Sequence, residues 1–300
     1  MFSRQLHAEV MGEFMRIEYL RGSKRFCMSL AVVAMTALLV SPVYAAPNSP
    51  RSLQNGAPVE DPTLTQAEIR RWAELTAAKE QALQGGEVSS QGTVGAMGII
   101  SEGLAVGSFG FVTRDVPNFR QETGWWCGPA SARQSLAWHR RVSNPGLPLP
   151  SQATLAGRIG TTQSGSLTTG IARALNSYNG VFGRVNYAAS DLTNQSNPLW
   201  AFRWRVGISL HHSASPGTVP IILVQTRYIP RYEGRSSRHY ISISGYDERA
   251  TVVKMRSVDP HWDSRFFGAH WDPVGTSTTR GLFRACLEAD RAGTNMAMVW

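Results

Sequence analysis

Gln121 and Cys127 stand six residues apart in the stretch Gln-Glu-Thr-Gly-Trp-Trp-Cys-Gly-Pro-Ala, and the residues that follow are strong helix formers through position 138. Pro129 suits the first position of such a helix, where its missing N–H costs nothing. Cys127 is therefore expected at the helix N-terminus, and there the positive end of the helix dipole favours thiolate over thiol. This is the layout of a thiol nucleophile. A thiolate that attacks a carbonyl needs a base that also holds it as an ion pair, and donors aimed at the oxyanion that forms. Gln121 offers a side-chain donor, and the backbone N–H of Cys127 offers a second.

The base must come from elsewhere in the chain. Residues 239–246 alternate, with His239, Ile241, Ile243 and Gly245 on one face and Tyr240, Ser242, Ser244 and Tyr246 on the other. A turn at 247–250 leads into a second strand-like run, 251–258. In an unbulged antiparallel hairpin centred near 248–249, opposed residue numbers sum to about 497–498. That register puts Asp259 opposite His239 or one step away, where its carboxylate would fix the ring's tautomer and leave the other nitrogen for the thiol. Competing residues are placed less well. Asp247 reads as a turn residue, His139 lies too far along the cysteine's own helix, and His211 and His212 fall at a helix end. His261-Trp-Asp263 and His270-Trp-Asp272 repeat a pattern of ligand-type residues. Such residues are common on polar loops without an ion, and no metal or cofactor is expected.

Gln121, Cys127-Gly128-Pro129-Ala130, His239 opening a strand that ends in Gly245-Tyr246-Asp247, and Val258-Asp259-Pro260 occur in that order. The ordered set resembles the papain-like cysteine peptidases, most closely the group related to the double-glycine leader peptidases that process bacteriocins. The resemblance spans roughly residues 113–275. It implies an α+β fold, with an N-terminal helical part packed on an antiparallel β-sheet, and a peptide or protein substrate. Carried residue by residue, it implies Cys127 as nucleophile, His239 as base, Asp259 as its orienter and Gln121 in the oxyanion hole. Acyl transfer to an amine, cleavage of cell-wall peptides, and a non-catalytic peptide- or wall-binding module on the same fold stay open beside hydrolysis.

The 300 residues, 42% hydrophobic and 17% charged, suffice for one sizeable core with an N-terminal appendage. Arg21, Lys24 and Arg25 precede an apolar run at 28–40 and then Ser-Pro-Val-Tyr-Ala-Ala. That is the pattern of a secretory signal peptide over residues 1–46, with export to a secreted or periplasmic location expected. Residues 47–110 are read as a linker and an amphipathic helix, either a propeptide or a structural arm, and 111–300 as the peptidase domain. The formal charge is +9; residues 1–46 hold five Lys/Arg and three Asp/Glu, so +9 minus +2 leaves +7 on the exported part. A basic secreted protein is drawn to anionic cell-wall or membrane surfaces; no nucleic-acid signature appears. Cys27 falls in the signal, and Cys286 is expected to be a buried apolar residue rather than a disulfide partner of Cys127.

Local signals place the supporting elements. Thr65-Gln-Ala-Glu68 is a capping box for a helix reaching about Leu83, ended by Gly85-Gly86, with Ile69, Trp72, Leu75 and Leu83 on its apolar face. Ser151 caps a short helix to Ile159, residues 171–178 form another with Ile171, Leu175 and Tyr178 on one face, and 199–210 is assigned as helix. Residues 217–225 read as a strand buried on both faces, and 227–238 as a polar loop leading to His239.

Overall fold

The Thr65 and Ser151 caps are realised where the sequence placed them. The computed structural model describes residues 63–88, 109–211, 217–291 and 295–300. The segments expected to be a signal peptide (1–46) and a linker (47–62), most of the small-residue stretch before 110, and His212 lie outside the described residues. Thr65 N–H donates to Glu68 Oε2 (3.1 Å) and Glu68 N–H to Thr65 Oγ1 (3.2 Å), and α1 runs Gln66–Val88. It continues through Gly85 and Gly86, because a glycine costs a helix about 1 kcal/mol but removes no hydrogen bond. Leu75 is 44% exposed, so the expected apolar face is corrected. The docked stripe is Trp72, Thr76, Lys79 and Leu83, at i, i+4, i+7 and i+11, with Leu75 at its edge.

After α1 come β1 (Phe111–Thr113), α2 (Cys127–Ser143), α3 (Gln152–Ile159) and α4 (Thr168–Asn176). Ser151 caps α3 by accepting from Thr154 N–H (3.1 Å), and Gly160 closes it in the left-handed conformation at φ 78°. Then follow β2 (Ala189–Ser190), α5 (Pro198–His211), β3 (Ile221–Gln225), β4 (Arg238–Asp247), β5 (Lys254–Asp259), β6 (Gly268–Pro273), α6 (Leu282–Arg291) and β7 (Met298–Val299). The presumed loop at 227–238 contains a 3-10 turn, Pro230–Tyr232, preceded by another at Thr226–Tyr228.

The strands form one antiparallel sheet in the order β2-β7-β3-β4-β5-β6. β4 is its spine, pairing with β3 along residues 238–242 and with the short β1 along 245–247. The sheet closes through the far C-terminal segment: β7 lies between β2 and β3, and Trp300 is fully buried with its Nε1 on Ser190 Oγ (2.7 Å). Helix α2 crosses β4 and is tied to it reciprocally, Ser131 Oγ to Tyr240 O and Ser242 Oγ to Ser131 O, both at 3.2 Å. This is the mixed helix and antiparallel-sheet architecture the resemblance implied.

The hairpin register differs from the ideal. Ser242 faces Val258 and Ile243 faces Ser257, a sum of 500, whereas Gly245 faces Arg256 and Asp247 faces Lys254, a sum of 501. A bulge leaves Ser244 unpaired, and the turn runs on to Lys254, longer than the unbulged hairpin allowed. Continued to the strand end, this register sets Asp259 level with Ile241, two residues from His239. The two side chains therefore meet diagonally rather than face to face.

Candidate active site

Cys127 is the first residue of α2, and Trp126 is the cap without a side-chain bond of its own. The helix starts two residues before the position expected from Pro129, which sits third. Its missing N–H is still one of the four that no helical carbonyl would have reached. Gly128 is required by space. A Cβ there would lie 2.8 Å from Ser166 Cβ, which is fixed because the Ser166 carbonyl is held by Tyr240 OH (2.9 Å) and Asn295 Nδ2 (3.2 Å).

His239 stands near the start of β4, 4% exposed, and its Nε2 lies 2.7 Å from Asp259 Oδ1. With Nε2 engaged, Nδ1 is left for the thiol, and Cys127 acts on His239 both as a hydrogen-bond partner and through charge. Burial alone would lower the imidazole, but Asp259 and Cys127 hold it up at about 9. For Asp259 burial alone would raise the carboxyl; His239, Arg231 and Tyr232 instead hold it well below the usual carboxylate range. Asp259 is fully buried and surrounded by donors. Oδ1 also accepts His261 N–H (2.9 Å), while Oδ2 accepts the Tyr232 hydroxyl (2.5 Å) and lies 2.7 Å from Arg231 NH2. Gln121 is anchored next door: its N–H donates to Pro260 O (2.7 Å). Its side chain, 6% exposed, gives one N–H to Thr123 O (2.8 Å), and its Oε1 has no hydrogen-bond partner. Gln152 at the start of α3 braces the same segment, accepting from Glu122 N–H (3.1 Å) and donating to Arg120 O (2.7 Å).

The structure thus gathers Cys127, His239 and Asp259 into one array with Gln121 on the adjoining loop. Chemically, such an array can carry a thiolate, a proton donor and acceptor, and a fixed carboxylate in line. Residues 113–277 match the model of the Peptidase_C39-like family.

The chain belongs to the Peptidase_C39-like family.

The papain-like resemblance of the motif stands with that assignment. Among solved structures, the C39-like chain is similar to UfSP from C. elegans, at 15% identity and TM-score 0.39, over 69% of this chain and 35% of that one. It is also similar to a recombinant stem bromelain precursor, at 10% identity and TM-score 0.41, over 63% of this chain and 69% of that one. The chain spans about a third of the length of the UfSP chain. No curated protein matches its sequence significantly.

Among the competing residues of this C39-like chain, His139, Asp247, Asp263 and His270 are engaged elsewhere. His139 is buried with its Nε2 3.0 Å from Tyr187 OH, and burial, then Lys79, lowers it to about 4. Asp247 accepts Arg249 N–H in its own turn (3.1 Å). Asp263 pairs with Arg265, and His270 Nε2 lies 2.9 Å from Phe266 O. Cys286 is free and buried, its thiol on Ala297 O (3.5 Å), and burial pushes that thiol well above its ordinary value.

Sequence reasoning missed the second layer. Arg231 and Tyr232, assigned to a polar loop, hold Asp259 Oδ2, and Arg231 Nε also lies 3.1 Å from both oxygens of Asp272. The ring of His261 packs edge-on to His239 at 5.2 Å between centroids. Its Nδ1 accepts Asp263 N–H (2.9 Å), and burial together with the charge on His239 keeps it neutral, near 4. Only Pro230, favourable at the start of a 3-10 turn, hinted at order in that loop.

Proposed function

We propose that this protein is a cysteine peptidase in which Cys127 attacks the carbonyl of a peptide bond. His239 protonates the leaving amine and then activates water, Asp259 fixes the imidazole, and Gln121 with the Cys127 N–H steadies the oxyanion. The observation that carries this reading is the buried His239–Asp259 pair facing a cysteine at a helix N-terminus. Hydrolysis of a mixed peptide library, together with stoichiometric labelling of Cys127 by a thiol-reactive epoxide at neutral pH, tests it. A folded protein that neither cleaves peptides nor labels at Cys127 refutes it and favours a binding module. Gln121→Ala is expected to lower turnover by roughly 10–1,000-fold with folding nearly intact, since single oxyanion donors are worth that much elsewhere. An unchanged rate removes Gln121 from the site.

Two further readings belong to this proposal. The signal-like N-terminus supports export, and the +7 formal charge left on the exported part (+9 minus +2 for residues 1–46) supports attraction to anionic cell-wall or membrane surfaces. N-terminal sequencing of the mature protein should find cleavage after Ala45 or Ala46. Helix α1 is assigned as a structural arm: Thr76 binds Ala189 O (3.1 Å), Lys79 Nζ binds Asn186 O (2.9 Å) and Trp300 O (2.6 Å), and Glu80 pairs with Arg205 (3.0 Å). None of these partners belongs to the Cys127–His239–Asp259 array. Trp72→Ala should then cost about 3–5 kcal/mol in urea unfolding and leave kcat/KM unchanged. A rise in activity would instead make α1 a cover of the cleft.

A further inference from the structure

Asp259 is gripped on both oxygens, and only one grip belongs to the histidine. Oδ1 takes His239 and the His261 N–H, whereas Oδ2 takes the Tyr232 hydroxyl and Arg231. Arg231 is itself held in a fixed orientation. Its Nε faces both oxygens of Asp272, its NH1 reaches Phe266 O (3.3 Å), and Asp272 Oδ2 in turn accepts Ser257 Oγ (2.6 Å). The Tyr232 ring stacks on Phe266 (centroids 4.4 Å apart) with the Arg231 guanidinium 4.6 Å from its centroid on top. One planar guanidinium thus bridges two buried carboxylates, a geometry that a point-charge ammonium cannot reproduce.

We infer that Arg231 and Tyr232 are positioning residues that draw charge from Asp259 through Oδ2 and so set how tightly the carboxylate holds the proton on His239. The inference takes its residues from the proposed catalytic reading. A buried carboxylate 2.7 Å from an imidazole, with no other partner, would bind that proton strongly, and a proton bound too strongly is not passed to a leaving amine. Sharing the charge with a guanidinium and a phenol weakens the hold, while the His261 N–H keeps Oδ1 aimed. Among the described residues, few groups face His239. They are the Cys127 thiol from α2, Asp259 from β5 and the neutral His261 ring, with Arg231 and Tyr232 acting through Asp259, and Asp272 from β6 acting through Arg231. Arg238, next in β4, donates its NH1 to Ala289 O (2.9 Å).

The sign of the effect separates this role from a structural one. Loosening the hairpin would weaken the His239–Asp259 bond and move the imidazole midpoint down toward the ordinary value of about 6.5. Removing a charge-withdrawing partner from Oδ2 moves it up. The test is a pH titration of the His239 imidazole by NMR in the full chain, with its resonance identified by its absence in His239→Ala. Tyr232→Phe keeps the ring stacked on Phe266 and is expected to raise the midpoint by roughly 0.5–1 pH unit; Arg231→Met should raise it further. A midpoint unmoved or lowered in Tyr232→Phe overturns the inference, and that variant decides alone if Arg231→Met does not fold. Peptide turnover is measured separately. Raised midpoints in a protein without turnover uphold the inference and sink the peptidase reading, and turnover with unmoved midpoints does the reverse.

Discussion

His239→Ala is expected to lower kcat/KM by roughly 10³–10⁵-fold and to make Cys127 sluggish toward the epoxide at neutral pH. Both losses have one cause. The imidazole is the charge partner of the thiol and the only group in the array placed to hand a proton to the leaving amine. The fold should survive, because Asp259 keeps three of its four partners: the His261 N–H and the Tyr232 hydroxyl as donors, and Arg231 as an ion pair. The stability cost depends on pH with a definite sign. The His239 midpoint in the folded protein, about 9, lies above its ordinary value, so the group contributes stability that is fully present below about 6.5 and is lost as pH rises through about 9. Urea unfolding should therefore show a larger difference between wild type and variant at pH 6 than at pH 10. A variant that keeps wild-type turnover would remove His239 from the mechanism.

The parts of this site that were legible in the sequence are those written in local chemistry. A cysteine two residues before a proline and a run of helix formers, a strand with period two opened by a histidine, and an Asp-Pro after the next strand all act through near neighbours. Caps behave in the same way: Ser151 and Thr65 bind N–H groups three residues on, so their effect is readable from spacing alone. Register was legible only to within a few residues. A bulge at Ser244 and a longer turn each add residues that no pattern announces, and the His239–Asp259 contact survived because diagonal neighbours on one face are still within reach. Arg231 and Tyr232 were illegible for a stronger reason. A polar side chain in a loop has no periodicity, and its partner is chosen by tertiary folding, as when Tyr232 meets Asp259, 27 residues away. The α1 stripe failed at Leu75 because its docking surface accepts Thr76 and Lys79 through hydrogen bonds to backbone carbonyls, so hydrophobicity alone misplaced the buried face.

Asp259→Asn is expected to combine a partial loss of activity with a displaced pH profile, and the donor count around the carboxylate explains both. Four groups surround Asp259: His239 Nε2–H and His261 N–H on one oxygen, the Tyr232 O–H and the ion-paired Arg231 on the other. An amide offers one oxygen in place of two. With that oxygen toward His239 the tautomer is preserved, Tyr232 can turn its hydroxyl to accept the amide N–H, and only Arg231 meets a donor head-on. The opposite orientation would aim N–H groups at His239 and at His261 N–H together, so the first is preferred and kcat/KM at the optimum should fall by roughly 10–1,000-fold. The charge, however, is gone in either orientation. The imidazolium that Asp259 helped hold to about pH 9 loses its partner and gains an uncompensated Arg231 nearby, so the alkaline limb of kcat/KM should move down by roughly 2 pH units. Asp259→Ala removes the last acceptor, frees the imidazole to rotate, leaves the His261 N–H, the buried Tyr232 hydroxyl and Arg231 without their carboxylate, and should cost more in both activity and stability. A folded Asp259→Asn protein with the wild-type rate and an unshifted alkaline limb would reduce Asp259 to a structural residue and leave His239 without an orienter.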